Sequence, residues 1–218
     1  MERFSSISMA VVRRLPKYHR YLGEIGKRGI NRVSSQELSK ITGFTASQIR
    51  QDLNCFGGFG QQGYGYNVDD LYKEIGNILG LNKIYKTVVV GAGNLGQAIV
   101  NYSFFEKSGF VTKGIFDTNP KIIGLSIKEI KVYDVEKLED FVRENAIDIG
   151  IICTPRGQCQ KVAEILSNGG IKAIWNFAPS DIKVPDEVLV ENVHLSESLF
   201  TLSYLLNEKE ELEKSRKF

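Results

Sequence analysis

Cysteine is scarce in this sequence, and the placement of the few cysteines excludes two common kinds of site. The 218 residues include three cysteines, Cys55, Cys153 and Cys159. They form neither a disulfide framework nor a CxxC metal-binding pair. We therefore expect reduced thiols of the kind found in cytosolic proteins, and we predict no metal site.

Long apolar runs are also missing. No stretch approaches the roughly 20 apolar residues that a membrane helix requires. Residues 1–15 lack a long apolar segment ahead of a small-residue cleavage site, so no secretory signal is predicted. Hydrophobic residues make up 42% of the chain and charged residues 25%, which is ordinary for a globular protein. We expect a cytoplasmic protein with two modest domains and no membrane partner.

Positive charge is concentrated in the first quarter of the chain. Residues 1–56 carry ten Lys or Arg against four Asp or Glu, whereas the whole chain has a net charge of only +2. A basic segment in a nearly neutral protein is typical of a nucleic-acid-binding module, although a solvated charged face gives the same pattern.

The first helices are predicted from apolar spacing and capping residues. Residues 8–26 have helical periodicity, and Pro16 predicts a kink or break within them. Ser34 and Glu37 form a capping-box pattern that starts a second, short helix. Gly43 is the residue type that favours the end of that helix.

A third helix follows, with Thr45 as its expected cap and Leu53 near its end. Two helices joined by a short glycine turn are typical of a helix-turn-helix, in which the second helix recognises DNA. Any small three-helix unit with a polar face would give a similar pattern. The side chains expected on the exposed face of this recognition helix are Ser47, Gln48, Arg50 and Gln51.

Residues 56–68 are rich in glycine and aromatics and cannot form a helix. We predict a β-hairpin wing there, with a flexible glycine linker as the alternative. A wing could place Gln61, Gln62 and Tyr64 along the minor groove. A further helix is expected over 68–79. The predicted DNA-binding residues are Arg13, Ser47, Gln48, Arg50, Gln51, Gln61, Gln62 and Tyr64.

The pattern changes to alternating strands and helices after residue 83. A buried strand at 87–90 runs into Gly91-Ala92-Gly93-Asn94-Leu95-Gly96 and then a helix, with Asp117 closing the next strand. This context makes the glycine motif a strong indication of a dinucleotide site, with the phosphates at the helix N-terminus. Asp117 would bind the adenosine ribose and favour NAD(H), although Lys121 leaves NADP(H) open.

Later strand ends supply further candidate residues. Strands are predicted at 131–133, 148–153 and 172–175, with helices at 135–145 and 158–168. Residues that follow strands in a doubly wound sheet lie beside its ligand. The predicted cofactor-binding residues are Gly91, Ala92, Gly93, Asn94, Leu95, Gly96, Asp117, Thr154, Pro155, Asn176, Phe177 and Pro179.

The chain ends in a predicted helix with a wide apolar face that includes Leu199, Leu202 and Leu206. Such a face requires a partner surface, either its own sheet or a second subunit. We expect the charged segment 207–217 to fray. The fold class predicted is α/β: a winged helix-turn-helix domain over 1–80, a Rossmann dinucleotide-binding domain over 81–195 and a C-terminal helix over 196–218.

Four short motifs in order resemble the bacterial Rex family of redox-sensing transcriptional repressors. They are Gln-Ile-Arg-Gln-Asp-Leu at 48–53, the glycine-aromatic wing, Gly-Ala-Gly-Asn-Leu-Gly and Asn-Phe-Ala-Pro. The resemblance covers nearly the whole chain. It implies a homodimer with domain-swapped C-terminal helices, each inserted between the two domains of its partner. It also implies a repressor that binds palindromic operator DNA and releases it when NADH binds, with NAD⁺ competing for the same site.

The resemblance also implies roles for individual residues. Arg50 matches the base-reading residue of the recognition helix. Arg20 and Tyr102 match two members of the interdomain contact set that responds to the cofactor. Phe177 and Pro179 match part of the nicotinamide surroundings.

Two features depart from the family pattern, one in the wing and one near the start of the last helix. The wing has Gln61 and Gln62 where Lys or Arg is frequent, so operator preference is expected to differ. His194 stands where several members carry an Asp that completes the interdomain contact. A histidine cannot form that carboxylate–arginine pair, which leaves a pH-sensitive coupling or a merely packed histidine.

Two other classes of function remain open on the residues alone. A dehydrogenase requires a placed acid or base, but the only histidines are His19 and His194, neither beside the predicted cofactor motifs. A coenzyme A or nucleotide-binding module of a ligase can share the glycine loop. The predicted winged helix and the placement of Asp117 favour the repressor, which is not an enzyme.

Overall fold

The computed structural model describes residues 7–59 and 64–215, which belong to two compact units. The N-terminal unit is residues 1–83 and the C-terminal unit is residues 84–218. The three-part domain division made from the sequence stays a prediction. No helix among the described residues is long and apolar enough to cross a membrane.

The N-terminal unit is mainly helical, with one short two-stranded sheet. Its elements are α1 (Met9–Val12), α2 (Leu15–Lys27), β1 (Arg32–Val33), α3 (Ser35–Thr42), α4 (Ala46–Asn54), β2 (Tyr66–Asn67) and α5 (Val68–Ile78). The break expected at Pro16 lies between α1 and α2, and the proline occupies the first turn of α2. That position tolerates proline because its backbone N–H would have no helical partner.

The predicted caps of α3 and α4 are confirmed. Ser34 Oγ accepts from the Glu37 backbone N–H at 3.1 Å, and the Glu37 carboxylate accepts from the Ser34 N–H at 2.7 Å. Gly43 ends α3 with φ +76°, a left-handed conformation that glycine adopts without strain. Thr45 Oγ1 accepts from the Gln48 N–H at 3.2 Å and begins α4. The helix-turn-helix is therefore formed by the residues that predicted it.

The wing differs from its prediction. Among the described residues of 56–68, only Tyr66–Asn67 forms a strand, and it pairs antiparallel with β1, which precedes the helix-turn-helix. The glycine-rich residues 56–59 form no strand, because a backbone with few side chains to pack gains little from a ladder. Gln61 and Gln62 lie outside the described residues.

The core of the N-terminal unit joins α2 to the helix-turn-helix and α5. Its members are apolar side chains at helical spacing, together with the ring of one tyrosine. Its buried members include Leu15, Tyr18, Leu22, Leu38, Ile49, Leu53, Leu71 and Ile75.

The C-terminal unit is a seven-stranded sheet with helices on both faces. Its strands are β3 (Tyr85–Val90), β4 (Phe110–Asp117), β5 (Ser126–Ile127), β6 (Ile130–Asp134), β7 (Ile149–Ile152), β8 (Ala173–Asn176) and β9 (Leu189–Asn192). Its helices are α6 (Asn94–Asn101), α7 (Ser103–Lys107), α8 (Leu138–Asn145), α9 (Cys159–Asn168) and α10 (Leu195–Ser215).

The strand order is β5-β6-β4-β3-β7-β8-β9, and all pairs except β5-β6 are parallel. The order of the six parallel strands is that of a doubly wound dinucleotide-binding fold. After β6 the chain crosses to the other side of β3 and continues outward from β7, so β4 and β7 flank β3. A crevice at the carboxyl ends of β3 and β7 is the place where such a sheet binds a ligand.

The central strand β3 is buried on both faces. Val88 and Val90 pack in one apolar cluster with Phe116 and Leu166, while Val89 packs in the cluster on the opposite face. Alternate side chains of a strand point to opposite faces, so a strand covered on both sides requires a continuous apolar run.

The last helix, α10, extends to Ser215, so the predicted fraying of 207–217 is wrong for the part that the structure describes. None of its described residues is buried. Its large apolar side chains, all more than half exposed, are Leu195, Leu199, Phe200, Leu202, Leu205, Leu206 and Leu212.

Candidate dinucleotide site and nucleic-acid interface

The glycine loop between β3 and α6 brings three backbones close together. Gly91 has φ +101°, and a Cβ there would lie 2.6 Å from the Cys153 carbonyl oxygen. A Cβ on Gly96 would collide with the Gly91 carbonyl oxygen. Gly93 caps α6, and a Cβ there would meet no atom within 4 Å. The loop is therefore tight at Gly91 and Gly96 and open at Gly93, which fits a pyrophosphate lying at the helix N-terminus.

Asp117 holds the loop in place. Its Oδ2 accepts a hydrogen bond from the Ala92 N–H at 2.7 Å, and its Oδ1 accepts from the Asn119 N–H at 2.8 Å. Gln97, which the sequence did not single out, donates from its amide to the Ala92 carbonyl at 2.8 Å. Because each carboxylate oxygen accepts more than one hydrogen bond, Asp117 keeps capacity for a ribose diol. Of the remaining loop residues, Asn94 is exposed and Leu95 is half-buried.

The segment after β7 lines the other side of the crevice. Thr154 Oγ1 is buried and has no hydrogen-bond partner among the described residues. A buried hydroxyl without a partner is costly, so this atom fits a site in which a ligand supplies the hydrogen bond. Burial raises the pKa of the neighbouring Cys153 thiol to about 12, so that thiol stays neutral. Pro155 is exposed.

The segment after β8 is shaped by Asn176. This residue is fully buried, and its amide donates to the Ser180 carbonyl and to Asn192 Oδ1, both at 2.8 Å. Its Oδ1 accepts from the Ala178 N–H at 3.1 Å. Asn176 is thus satisfied within the protein and shapes the turn that carries Phe177 and Pro179.

Phe177 packs edge-on against Trp175, with the ring centroids 4.5 Å apart, and is half-buried, whereas Pro179 is exposed. The described residues contain no group of three or more His, Cys, Asp or Glu placed to hold a metal ion.

The recognition helix α4 presents a polar face. Ser47, Arg50 and Gln51 are exposed and Gln48 is half-buried. The Arg50 guanidinium donates to Ser35 Oγ at 3.0 Å, so it is held at the N-terminus of α3.

The two other predicted DNA-binding residues that the structure describes lie outside α4. Tyr64 is 70% exposed on the segment that leads into β2. Arg13 is exposed at the end of α1.

A buried ion pair in this unit was not predicted. Arg14 bonds both carboxylate oxygens of Asp52, at 2.6 and 2.7 Å, and the Tyr18 hydroxyl donates to the same carboxylate at 2.6 Å. A signal existed in the sequence, because Asp52 is spaced with Ile49 and Leu53 on the apolar face of the recognition helix.

The three predicted coupling residues have different local surroundings. Arg20, in the N-terminal unit, is exposed, with its guanidinium 4.7 Å from the centroid of the Tyr21 ring. In the C-terminal unit, Tyr102 is exposed and packs against Phe105. His194 Nε2 lies 3.2 Å from Asp181 Oδ1, so a carboxylate does lie beside this histidine.

Relatives with assigned roles match nearly the whole chain. A redox-sensing transcriptional repressor Rex from Clostridium perfringens strain SM101 is 65% identical over 207 residues, covering 95% of this chain and 98% of the relative. The Rex repressor of Thermoanaerobacter pseudethanolicus is 62% identical over 210 residues, covering 96% and 94%. The chain belongs to the Rex family of redox-sensing transcriptional repressors. The predicted family is confirmed, and its curated members are named as repressors rather than as dehydrogenases.

Solved structures of the family match the fold along the whole chain. The repressor RSP in complex with β-NAD⁺ and operator DNA has a TM-score of 0.89 and 62% identity, covering 97% of this chain and 98% of that one. RSP in complex with β-NADH has a TM-score of 0.90 and 60% identity, covering 96% and 99%.

Family models match the two units separately. Residues 6–54 match the model described as "Putative DNA-binding protein N-terminus", and residues 82–180 match the model "CoA binding domain". The predicted fold class, with a DNA-binding domain, a Rossmann-like domain and a long C-terminal helix, is confirmed.

Proposed function

We propose that this chain represses transcription by binding palindromic operator DNA and that NADH binding releases it. The observation that carries the proposal is the presence in one chain of a helix-turn-helix and a dinucleotide crevice, in a family whose solved member holds both operator DNA and NAD⁺. We expect a cytoplasmic protein, because operator DNA is reached there in bacteria.

The DNA side of the proposal rests on α4. Its exposed polar side chains would enter the major groove, where a guanidinium such as that of Arg50 is the group that bonds guanine bidentately. Gln61, Gln62 and Tyr64 would follow the minor groove, and Arg13 would contact the phosphate backbone. The residues proposed to contact DNA are Arg13, Ser47, Gln48, Arg50, Gln51, Gln61, Gln62 and Tyr64.

The nucleotide side rests on the crevice between β3 and β7. The pyrophosphate would lie beside Gly93, the adenosine ribose on Asp117 and a ligand hydroxyl or water on Thr154. Phe177 and Pro179 would face the nicotinamide, where an apolar surface favours the neutral ring of NADH over the cationic ring of NAD⁺. The residues proposed to form the site are Gly91, Ala92, Gly93, Asn94, Leu95, Gly96, Asp117, Thr154, Pro155, Asn176, Phe177 and Pro179.

The dimer is proposed to form through exchange of α10 between two chains. A helix of 21 residues with no buried side chain needs a partner for its apolar face, and a second copy is the simplest one. The two recognition helices of a dimer must match operator half-sites that lie about one DNA turn apart. A change in their spacing therefore alters affinity without any change in the reading residues.

The dimer is proposed to exist in two arrangements, one in which the recognition helices match the half-sites and one in which they do not. NADH shifts the equilibrium between these arrangements only by its differential affinity for the two. Arg20, Tyr102 and His194 are proposed to carry the coupling between cofactor and DNA. His194 would act together with Asp181, whose carboxylate lies 3.2 Å away and supplies the negative charge that the histidine lacks.

The test is fluorescence anisotropy of a labelled palindromic operator at fixed, stated salt, titrated with protein and then with NADH, NAD⁺, NADPH or coenzyme A. Salt is fixed because phosphate contacts make the affinity steeply salt-dependent. Release by NADH at the lowest concentration supports the proposal. Equal dissociation constants for NADH and NAD⁺ would contradict the apolar nicotinamide pocket. Release by coenzyme A alone would support the alternative that the name of the matched domain suggests.

A further inference from the structure

Arg32 holds the return segment of the wing, which we define as Tyr64–Asn67. The Arg32 guanidinium donates to the Tyr64 carbonyl at 3.2 Å, and its central carbon lies 5.9 Å from the centroid of the Tyr64 ring. The same side chain thus contacts both the backbone and the ring of an aromatic residue that is 70% exposed.

The return segment lies directly on β1. A Cβ on Gly65 would be 2.8 Å from the Val33 carbonyl oxygen, and Gly65 has φ +70°, so this position requires glycine. The ladder itself pairs only Arg32 with Asn67 and Val33 with Tyr66. A two-residue ladder is weak, and the Arg32 side chain adds contacts that the ladder lacks.

The recognition helix carries a different arginine from the one that holds the return segment. Arg50 is bound to Ser35 at 3.0 Å, while Arg32 is bound to Tyr64. Arg32 and Arg50 therefore contact different parts of the proposed DNA-binding surface, which allows their effects to be separated by experiment.

We propose that Arg32 is a positioning residue that sets Tyr64 against the minor groove flanking the operator half-site. It would thereby create a preference for A·T-rich flanks without hydrogen-bonding to any base. An A·T-rich minor groove is narrow and strongly negative, so affinity there depends on where the wing is held. The inference rests on the proposed operator binding.

The experiment compares two operators with identical half-sites, one with A·T flanks and one with G·C flanks, by anisotropy at fixed salt. The full chain is tested with Arg32→Ala, Arg32→Lys and the control Lys73→Ala, which removes an equal charge from the exposed side of α5. Arg32→Ala should weaken binding to the A·T-flanked operator about tenfold and to the other less than about twofold. Arg32→Lys should behave like Arg32→Ala, because a single ammonium nitrogen does not span the Tyr64 carbonyl and the Tyr64 ring as the guanidinium does. Lys73→Ala should match the unmodified chain.

A second variant separates wing positioning from loss of charge. Tyr64→Ala should also abolish the flank preference, and adding it to Arg32→Ala should weaken binding no further, since the two side chains act as one unit. Thermal unfolding confirms that each variant is folded.

Full affinity with Arg32→Lys would overturn the inference, as would an equal loss on both operators or additive losses in the double variant. Full affinity with Arg32→Lys or an equal loss on both operators would mean a simple phosphate contact, for which the salt slope falls by about one. Additive losses would mean that Arg32 and Tyr64 act independently. Failure of the unmodified chain to bind either operator would instead overturn the proposed function.

Discussion

Arg14 and Asp52 form a two-point ion pair that ties α2 to the recognition helix α4. The Arg14 Nε lies 2.6 Å from Asp52 Oδ2, and its terminal nitrogen lies 2.7 Å from Oδ1. The hydrogen bond to the Asp52 carboxylate raises the pKa of Arg14, and burial raises the pKa of Tyr18, which donates to the same carboxylate. Orientation of the recognition helix therefore depends on a carboxylate that is itself buried, since Asp52 is only 2% exposed.

Asp52→Asn is expected to destabilise the N-terminal unit by about 2 kcal/mol and to weaken operator binding. Removing one member of a buried pair leaves the other uncompensated, and the partial exposure of Arg14, at 18%, reduces the cost below that of a fully buried pair. Urea unfolding measures the change. Glu74→Gln, at an exposed position of α5, is the matched control and should remain within about 0.5 kcal/mol of the unmodified chain. Equal effects of the two substitutions would show that the pair contributes nothing specific.

The helices of the N-terminal unit could be predicted because their caps are local. Ser34 with Glu37 and Thr45 with Gln48 lie three residues apart, so the chemistry that starts each helix is visible in the sequence. Asp52 was missed because its partner Arg14 is 38 residues away, and an acid on a helix is ordinarily assigned to the exposed face.

The sheet shows the same division between local and distant information. The glycine loop and Asp117 were predicted from their spacing, but the bond from Ala92 to Asp117 depends on the pairing of β3 with β4. The short strand β5 was missed because its turn to β6 uses Lys128 and Glu129 at positive φ, where glycine or asparagine is usual. The edge strand β9 was missed because its sequence, Leu-Val-Glu-Asn, does not alternate apolar and polar residues, although the exposure of its residues does alternate.

Alanine substitution at two glycines of the loop should have different effects, one on NADH binding and the other on stability. Gly93→Ala should leave the melting temperature nearly unchanged, because a Cβ there meets nothing within 4 Å and φ is negative. It should weaken NADH binding by about tenfold, since the added methyl occupies the approach to the pyrophosphate. Gly96→Ala should destabilise the C-terminal unit by about 2 kcal/mol, because its Cβ collides with the Gly91 carbonyl.

Thermal unfolding and the quenching or enhancement of NADH fluorescence measure the two effects of these alanines separately. If Gly93→Ala bound NADH normally, the pyrophosphate would have to lie elsewhere. If Gly96→Ala were as stable as the unmodified chain, the packing of α6 on β3 would be looser than the structure describes.

His19 should make the stability of the N-terminal unit depend on pH. Its ring stacks on Tyr72 with 4.1 Å between centroids, and burial lowers its pKa below the ordinary 6.5. Between the lowered pKa and 6.5 the unfolded chain binds more protons, so the free energy of unfolding rises with pH. The free energy of unfolding is therefore at its full value, as far as His19 affects it, above about pH 6.5. It decreases as pH falls toward the lowered pKa of His19.

Urea unfolding at a series of pH values from about 5 to 8 measures this dependence. That pH range includes the ordinary histidine pKa. His19→Phe keeps an aromatic ring against Tyr72 but removes the titrating group, so its stability should fall less between pH 7 and pH 5.5, by roughly the histidine contribution. Parallel curves for the two proteins would mean that His19 titrates as it does in the unfolded chain.

Thr154 should show opposite effects on stability and on ligand binding. Its buried Oγ1 has no hydrogen-bond partner among the described residues. Valine has the same shape with a methyl in place of the hydroxyl, so Thr154→Val should stabilise the nucleotide-free protein by about 1 kcal/mol. The same variant should bind NADH about tenfold more weakly, because the bound nucleotide or a water held by it loses its partner.

Thr154→Ser is the control, since it keeps the hydroxyl and removes only a methyl group. It should lose about 1 kcal/mol of stability and bind NADH nearly as well as the unmodified chain. Urea unfolding without nucleotide, followed by NADH titration of the same samples, gives both quantities. A destabilised Thr154→Val variant with normal NADH affinity would place the partner of this hydroxyl within the protein and remove Thr154 from the nucleotide site.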